Sequence, residues 1–263
     1  ELATLRRLWR SSLMMTHISS GLALLVVTGA IWRPYTPVVR KTMQWWLRRV
    51  TDILNIEIVV HGELPHENDG SVLLVSNHVS WVDIPLIGGV TPISFLSKAE
   101  VASWPLIGTL ASKVGTLFIQ RGSGDTDRVA KTIADTLRRN RSVLFFPEGT
   151  TTDGTSIKRF HSKLFRVCQH HDVTVQPVVI RYWSEQSCNP VPFIGDDEFT
   201  GHLWNMMGHR KLFAEVHVLP AFALLSPSMS EQVARLEREM KQYLHGGRFD
   251  EPECIASGQV QTV

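Results

Sequence analysis

Cysteine is scarce in this chain. Cys168, Cys188 and Cys254 are spread over 263 residues without a CxxC pair. An odd count at such spacings excludes a disulfide framework and a zinc knuckle, and fits a reducing compartment. Charge of one sign is lacking too: 27 Lys and Arg against 25 Asp and Glu leave a net +2. That gives no bulk electrostatic case for nucleic acid. Internal repeats and low-complexity tracts do not occur. A GxSxG nucleophile elbow is also missing, since "RGSGD" (121–125) fails the pattern. With no cysteine beside a partner motif either, nothing points to a covalent acyl-enzyme.

Apolar residues, in contrast, make up 43% of the chain and charged residues 20%, the balance of an ordered protein able to bury a sizeable core. The basic residues are unevenly placed. Arg6, Arg7 and Arg10 precede the apolar run Gly21–Trp32; Arg33, Arg40, Lys41, Arg48 and Arg49 follow it, with Trp45 and Trp46. Residues 13–32 approach the roughly 20 needed to cross a bilayer, but Thr16, His17, Ser19 and Ser20 interrupt their first third. Arginines on both sides and no clear small-residue cleavage site disfavour a signal peptide. A membrane span, a hairpin lying in the interface and a pair of buried core helices remain open. The expectation is membrane contact through residues 1–55.

From residue 56 to 245, short apolar runs alternate with helical patterns. Strands are expected at 56–60, 72–76, 93–98, 116–120, 142–146 and 173–182, with an exposed or edge strand at 213–219. Helices are expected at 127–140 and 230–244 from their apolar faces. This pattern predicts an α/β fold: a single, mostly covered mixed sheet flanked by helices. Residues 246–263 read as a flexible tail.

"SNHVSWVDIP" (76–85) ends one of these apolar runs. On a continuous helix His78 and Asp83 would point about 140° apart. They meet if His78 lies in the turn leaving the strand and Asp83 starts the next helix, where Pro85 is tolerated in the first turn. An imidazole held by a carboxylate suits proton transfer near neutrality. Taken alone, the decapeptide favours a capping aspartate beside a solvated histidine. A second stretch, "LFFPEGTTTDG" (144–154), leaves another buried run and carries Glu148 in a Gly- and Thr-rich loop. Amides near Gly149 and Thr150 could approach an anionic group closely.

Together these stretches resemble the glycerolipid acyltransferase family, which includes lysophosphatidic acid and glycerol-3-phosphate acyltransferases. "NHVSWVD" is similar to its NHxSxxD block, "GTLFIQR" (115–121) to its second block, "FPEGT" to its third and "VQPVVI" (175–180) to its fourth. "SKAE" (97–100) and "WPLIG" (104–108) match softer features between them. Four blocks in order, with Glu148 seventy residues after His78, make a specific match. The resemblance implies that His78 is a general base oriented by Asp83, deprotonating an acceptor hydroxyl that attacks a fatty acyl thioester. It implies that Arg121 holds an acceptor phosphate and that Glu148 and Gly149 position the acceptor. Asn77, Ser80 and Thr150 become supporting or binding residues, with Lys98 a further anion contact.

The expected substrates are a lysophospholipid, chiefly lysophosphatidic acid giving phosphatidic acid, and acyl-CoA or acyl carrier protein. No cofactor and no metal are expected, and no nucleic acid partner. The place is the cytoplasmic face of the membrane. One departure bears on the acceptor. Many phosphatidic-acid-forming members read EGTR, whereas position 151 here is threonine. "EGTTTDG" followed by "FHSKLF" is similar to a bacterial branch that includes both lysophosphatidic acid and lyso-ornithine lipid acyltransferases. Lys158, Arg159 or Lys163 could replace the missing arginine. Two further readings are a lipid-binding protein with a degenerate site, against which His78, Asp83, Arg121 and Glu148 all stand, and a serine or cysteine lipase. "HHD" (170–172) is read as a solvated helix end, and His202 and His209 as core packing or a membrane-facing loop, rather than as ligands.

Overall fold

The computed structural model describes residues 1–65, 70–103, 107–113, 116–119, 126–169, 173–185, 189–224 and 229–246. Two long helices, α1 (Leu2–Val27) and α2 (Pro37–Leu54), form a hairpin. The start of α2 is written in the sequence: Thr36 Oγ1 accepts the Val39 amide at 3.3 Å and Pro37 occupies the first turn. Asn55 ends it in the left-handed region at φ 57°, which asparagine tolerates better than most residues. His17 and Trp46 join the two helices. His17 Nε2 donates to Trp46 O at 2.9 Å, Trp46 Nε1 donates to His17 O at 3.2 Å, and the rings stack.

The strands are β1 (Ile56–His61), β2 (Leu73–Ser76), β3 (Ser94–Lys98), β4 (Leu117–Ile119), β5 (Val143–Phe145), β6 (Val173–Ser184), β7 (Leu212–Val218) and β8 (Phe222–Leu224). They form one mixed sheet in the order β1-β7-β6-β2-β5-β3-β4, with β8 pairing the start of β6. β2 lies parallel to both β5 and β6, while β6 and β7 are antiparallel. The remaining helices are α3 (Asp83–Val90), α4 (Ile107–Lys113), α5 (Thr126–Arg138), α6 (Phe199–Gly208) and α7 (Met229–Gly246). Short 3₁₀ segments cover Ala99–Ser103 and Ser162–Gln169.

Both faces of the sheet are covered, and alternate strand residues serve each face. Leu74, Val178, Ile180 and Tyr182 pack with residues of α1, α2, α3 and α6. Leu73, Val75, Val143, Phe145, Val175 and Val179 pack with residues of α5 and α7. The fold is therefore the expected mixed α/β sheet flanked by helices.

β7 corrects one expectation. It is an interior strand between β1 and β6, not an exposed or edge strand. Its polar alternates Glu215 and His217 are buried and bonded to each other at 3.2 Å. The alternation in its sequence therefore marks an internal polar pair and not a wet face. α6 was not anticipated at all. The "HHD" cluster and residues 247–263 lie outside the described residues.

Candidate active site

The register of β2 against β5 explains why the two sequence blocks meet. Leu73 pairs Val143 and Val75 pairs Phe145, a constant offset of 70 residues. His78 and Glu148 are separated by the same offset and leave the carboxyl ends of neighbouring parallel strands, where loops of such sheets gather ligands.

Asn77 begins the turn. It is fully buried; its Nδ2 donates to Ile180 O at 2.9 Å and its Oδ1 accepts the Ile180 amide at 2.7 Å. The side chain thus fills the next rung of the β2–β6 ladder and frees its own backbone to bend away. Asp83 then opens α3, with Pro85 in the first turn. His78 and Asp83 come together: His78 Nδ1 donates to Asp83 Oδ2 at 2.7 Å. The same oxygen accepts the amides of Val79 at 2.8 Å and Ser80 at 3.0 Å. A carboxylate oxygen accepts, so the proton of this bond is on Nδ1. Phe146 stacks on the imidazole with centroids 3.9 Å apart, fixing the ring plane. Asp83 is fully enclosed, whereas the His78 side chain keeps 19% of its surface open.

The loop after β5 holds the backbone of His78 from both sides. Glu148 Oε1 accepts the His78 amide at 2.8 Å, and the Thr152 amide donates to His78 O at 2.8 Å. Glu148 Oε2 accepts the Lys158 amide at 2.6 Å. Its carboxyl is buried and engaged with the protein. Burial pushes its pKa above the ordinary range, with the two amides and His78 pulling the other way. Gly149 sits at φ +70°, where a Cβ would also stand 3.0 Å from His161 Cδ2, so the tight turn requires glycine. Thr150 is exposed. Thr151 is not an open contact, because its hydroxyl donates to Phe193 O.

Ser80 is buried, and its Oγ has no partner among the described residues. Lys98 closes β3. Arg121 lies outside the described residues.

Sequence reasoning missed Phe146, Thr152 and Tyr182. Tyr182 is buried and donates its phenol to Asp83 Oδ1 at 2.7 Å. Phe146 and Thr152 flank a block already singled out. No local pattern marks Tyr182, which reaches Asp83 only through the β2–β6 register.

His202, expected in core packing or a membrane-facing loop, connects α6 to the turn that carries His78. Its Nδ1 accepts from Trp81 Nε1 at 3.1 Å while Nε2 donates to Val191 O and Pro192 O. Elsewhere, His61, Glu215 and His217 bring ligand-type atoms within 4.8 Å of one another. They lie on the sheet face that α7 covers, since His217 bonds Tyr243. The two imidazoles stack at 9°, so their lone pairs run side by side rather than converging on an ion.

The sequence matches the acyltransferase family over residues 57–181. Over 241 residues it is 41% identical to the lyso-ornithine lipid O-acyltransferase of Pseudomonas aeruginosa, covering 90% of each chain. The chain belongs to this acyltransferase family. It is 34% identical over 171 residues to a 1-acyl-sn-glycerol-3-phosphate acyltransferase of Neisseria meningitidis, covering 64% of this chain and 67% of that one. The crystal structure of the 1-acyl-sn-glycerophosphate acyltransferase of Thermotoga maritima shares the fold, at 18% identity and a TM-score of 0.65. That match covers 91% of this chain and 96% of the other. As a family member the protein is an O-acyltransferase.

Proposed function

We propose that this acyltransferase esterifies the free hydroxyl of a lysolipid at the membrane surface, with His78 as general base and no acyl-enzyme. The observation that carries the reading is His78, held by Asp83 through Nδ1 and stacked on Phe146, with part of its side chain open to solvent. Nε2 takes the hydroxyl proton as the oxygen attacks the thioester carbonyl carbon. The C–S bond then breaks and the departing thiolate takes the proton, so the base is regenerated. The donor is acyl-CoA or acyl carrier protein, and the chemistry needs no metal and no cofactor.

An apolar cavity of about 150 Å³ lies between α1, α2, α3 and α4, lined by Leu24, Leu25, Met43, Trp46, Ile84 and Leu110 among others. Ile84 adjoins Asp83, which suits this cavity to the acyl chain of the donor. Arg121 remains the candidate for an acceptor anion, with Lys98 and Thr150 as further contacts. Glu148 and Gly149 act through the loop that grips His78.

The acceptor favoured here is lyso-ornithine lipid. Its support is the match to the Pseudomonas enzyme over nearly the whole chain, together with threonine rather than arginine at 151. Lysophosphatidic acid is the second reading, supported by the Neisseria relative. Membrane attachment is assigned to the hairpin. α1 is long and apolar enough to cross a bilayer, but its Arg10, Met14, His17, Gly21 and Leu25 stripe is buried against the protein. A helix held along one side in this way lies in the interface rather than across it. The exposed Trp9, Trp32 and Trp45 then reach the lipid, on the cytoplasmic face.

The test is to incubate the purified protein in lipid with palmitoyl-CoA or palmitoyl carrier protein. Lyso-ornithine lipid, lysophosphatidic acid and lysophosphatidylcholine are offered separately, and products are read by mass. Ornithine lipid is expected. His78→Ala is expected to lower turnover by about 10²–10⁴-fold with its melting temperature unchanged; near-normal turnover in that variant would sink the mechanism.

A further inference from the structure

β6 continues after β2 has ended. The β2–β6 ladder runs from Leu73 opposite Val175 to Ser76 opposite Val178, and the Asn77 side chain adds a rung at Ile180. Two residues further, on the same face as Val178 and Ile180, stands Tyr182. The bend of the backbone at Asn77 carries α3 across that face, and its first residue, Asp83, meets the phenol. The spacing of Asn77 and the length of β6 therefore deliver a fourth donor to the carboxylate. Oδ2 already accepts three, from His78, Val79 and Ser80. Oδ1 accepts from Tyr182.

We propose that Tyr182 is a positioning residue for acyl transfer, setting the basicity of His78 through Asp83. This inference rests on the proton-transfer role given to His78 above. The physical argument is one of charge distribution. Asp83 is closed to solvent, so the phenol withdraws charge that water cannot withdraw. It also fixes the rotation of the carboxylate, so that Oδ2 stays in line with Nδ1–H. Without the phenol, more negative charge faces the imidazole. The imidazolium becomes more favourable, and less of the neutral base exists at a given pH. Burial, and then the Asp83 charge, hold the phenol well above its ordinary pKa, so it remains a donor across the working range.

Other titratable groups near the turn are Glu148 and His161 from the segment after β5, Lys158 beside Glu148, and His202 of α6 through Trp81. All of them persist when only the phenolic oxygen is removed. The experiment compares wild type with Tyr182→Phe, measuring kcat/KM against pH. The acid limb should move to higher pH by about half to one unit, a three- to tenfold loss of rate below it. KM for the acyl donor should stay within twofold. A fall in kcat with the limb unmoved would mean a structural role only and would overturn the proposal, as would a wild-type profile.

Should the phenylalanine variant fail to fold, 3-fluorotyrosine at 182 carries the test. As a stronger donor it should move the limb to lower pH, and an unmoved limb again refutes the coupling. An NMR titration of the His78 ring without substrate separates the two hypotheses. If wild type acylates no lysolipid, the functional reading falls. The ring pKa then decides the coupling alone: raised in Tyr182→Phe if it exists, equal in both if it does not.

Discussion

At the scale of single residues, the site depends on side chains that replace backbone. Asn77 stands in for a strand rung, and Glu148 ties two amides from segments far apart in sequence. In Glu148→Gln one of those amides must face an NH₂ group instead of an oxygen. A buried donor left without an acceptor costs about 1–3 kcal/mol. Relief of the buried charge, the reason its pKa is raised, offsets part of this. The expected loss is about 1 kcal/mol in denaturant unfolding, with kcat reduced because the tie between the His78 and Lys158 amides is broken. Full activity with unchanged stability would show that the loop does not hold the base. Asn77, His78, Asp83 and Glu148 were legible because their chemistry is packed into short blocks. Tyr182 was not, because its partner lies 99 residues away and only strand register joins them.

At the scale of elements, α2 and α3 approach until glycine alone fits between them. A Cβ on Gly89 would lie 2.9 Å from Arg48 Cα and 3.0 Å from its N. Backbone cannot swing aside as a side chain can. Gly89→Ala should therefore cost about 1–3 kcal/mol, read as a fall of several degrees in melting temperature. The cavity between the same helices offers a functional counterpart. Thr28, at the C-terminal end of α1, is among its lining residues. Thr28→Trp should shift the chain-length preference toward shorter donors in a competition assay, while turnover of short donors persists. Unchanged chain preference would place the acyl chain elsewhere. Strands in this region were readable from apolar runs bounded by turns. α6 was not: "FTGHLWNMMG" has no charged residue and Glu198 makes no side-chain cap. Its helix is held from outside, by Arg10 donating to Met207 O and His209 O and by His202 meeting Trp81. β7 was misplaced for a related reason, since period-2 polarity does not say whether the polar face meets water or a buried partner.

At the scale of the whole molecule, the exposed apolar side chains concentrate on the hairpin, with Trp9 65% and Trp32 72% exposed. Replacing both by alanine should weaken binding to phosphatidylglycerol vesicles by about tenfold or more without lowering the melting temperature. Added salt should weaken binding further, since Arg33 and Lys41 lie in the same region. Wild-type vesicle affinity in that variant would move the lipid contact to another surface. The clamp that Arg10 makes on the end of α6 spans 197 residues of sequence. A ribosome adding ~5–20 residues per second finishes α1 roughly 10–40 s before α6 exists to receive it. Through that interval α1 lacks the partner that holds Arg10. On the interfacial reading proposed above, the bilayer is then a surface available to its apolar side while the rest of the chain is still being made.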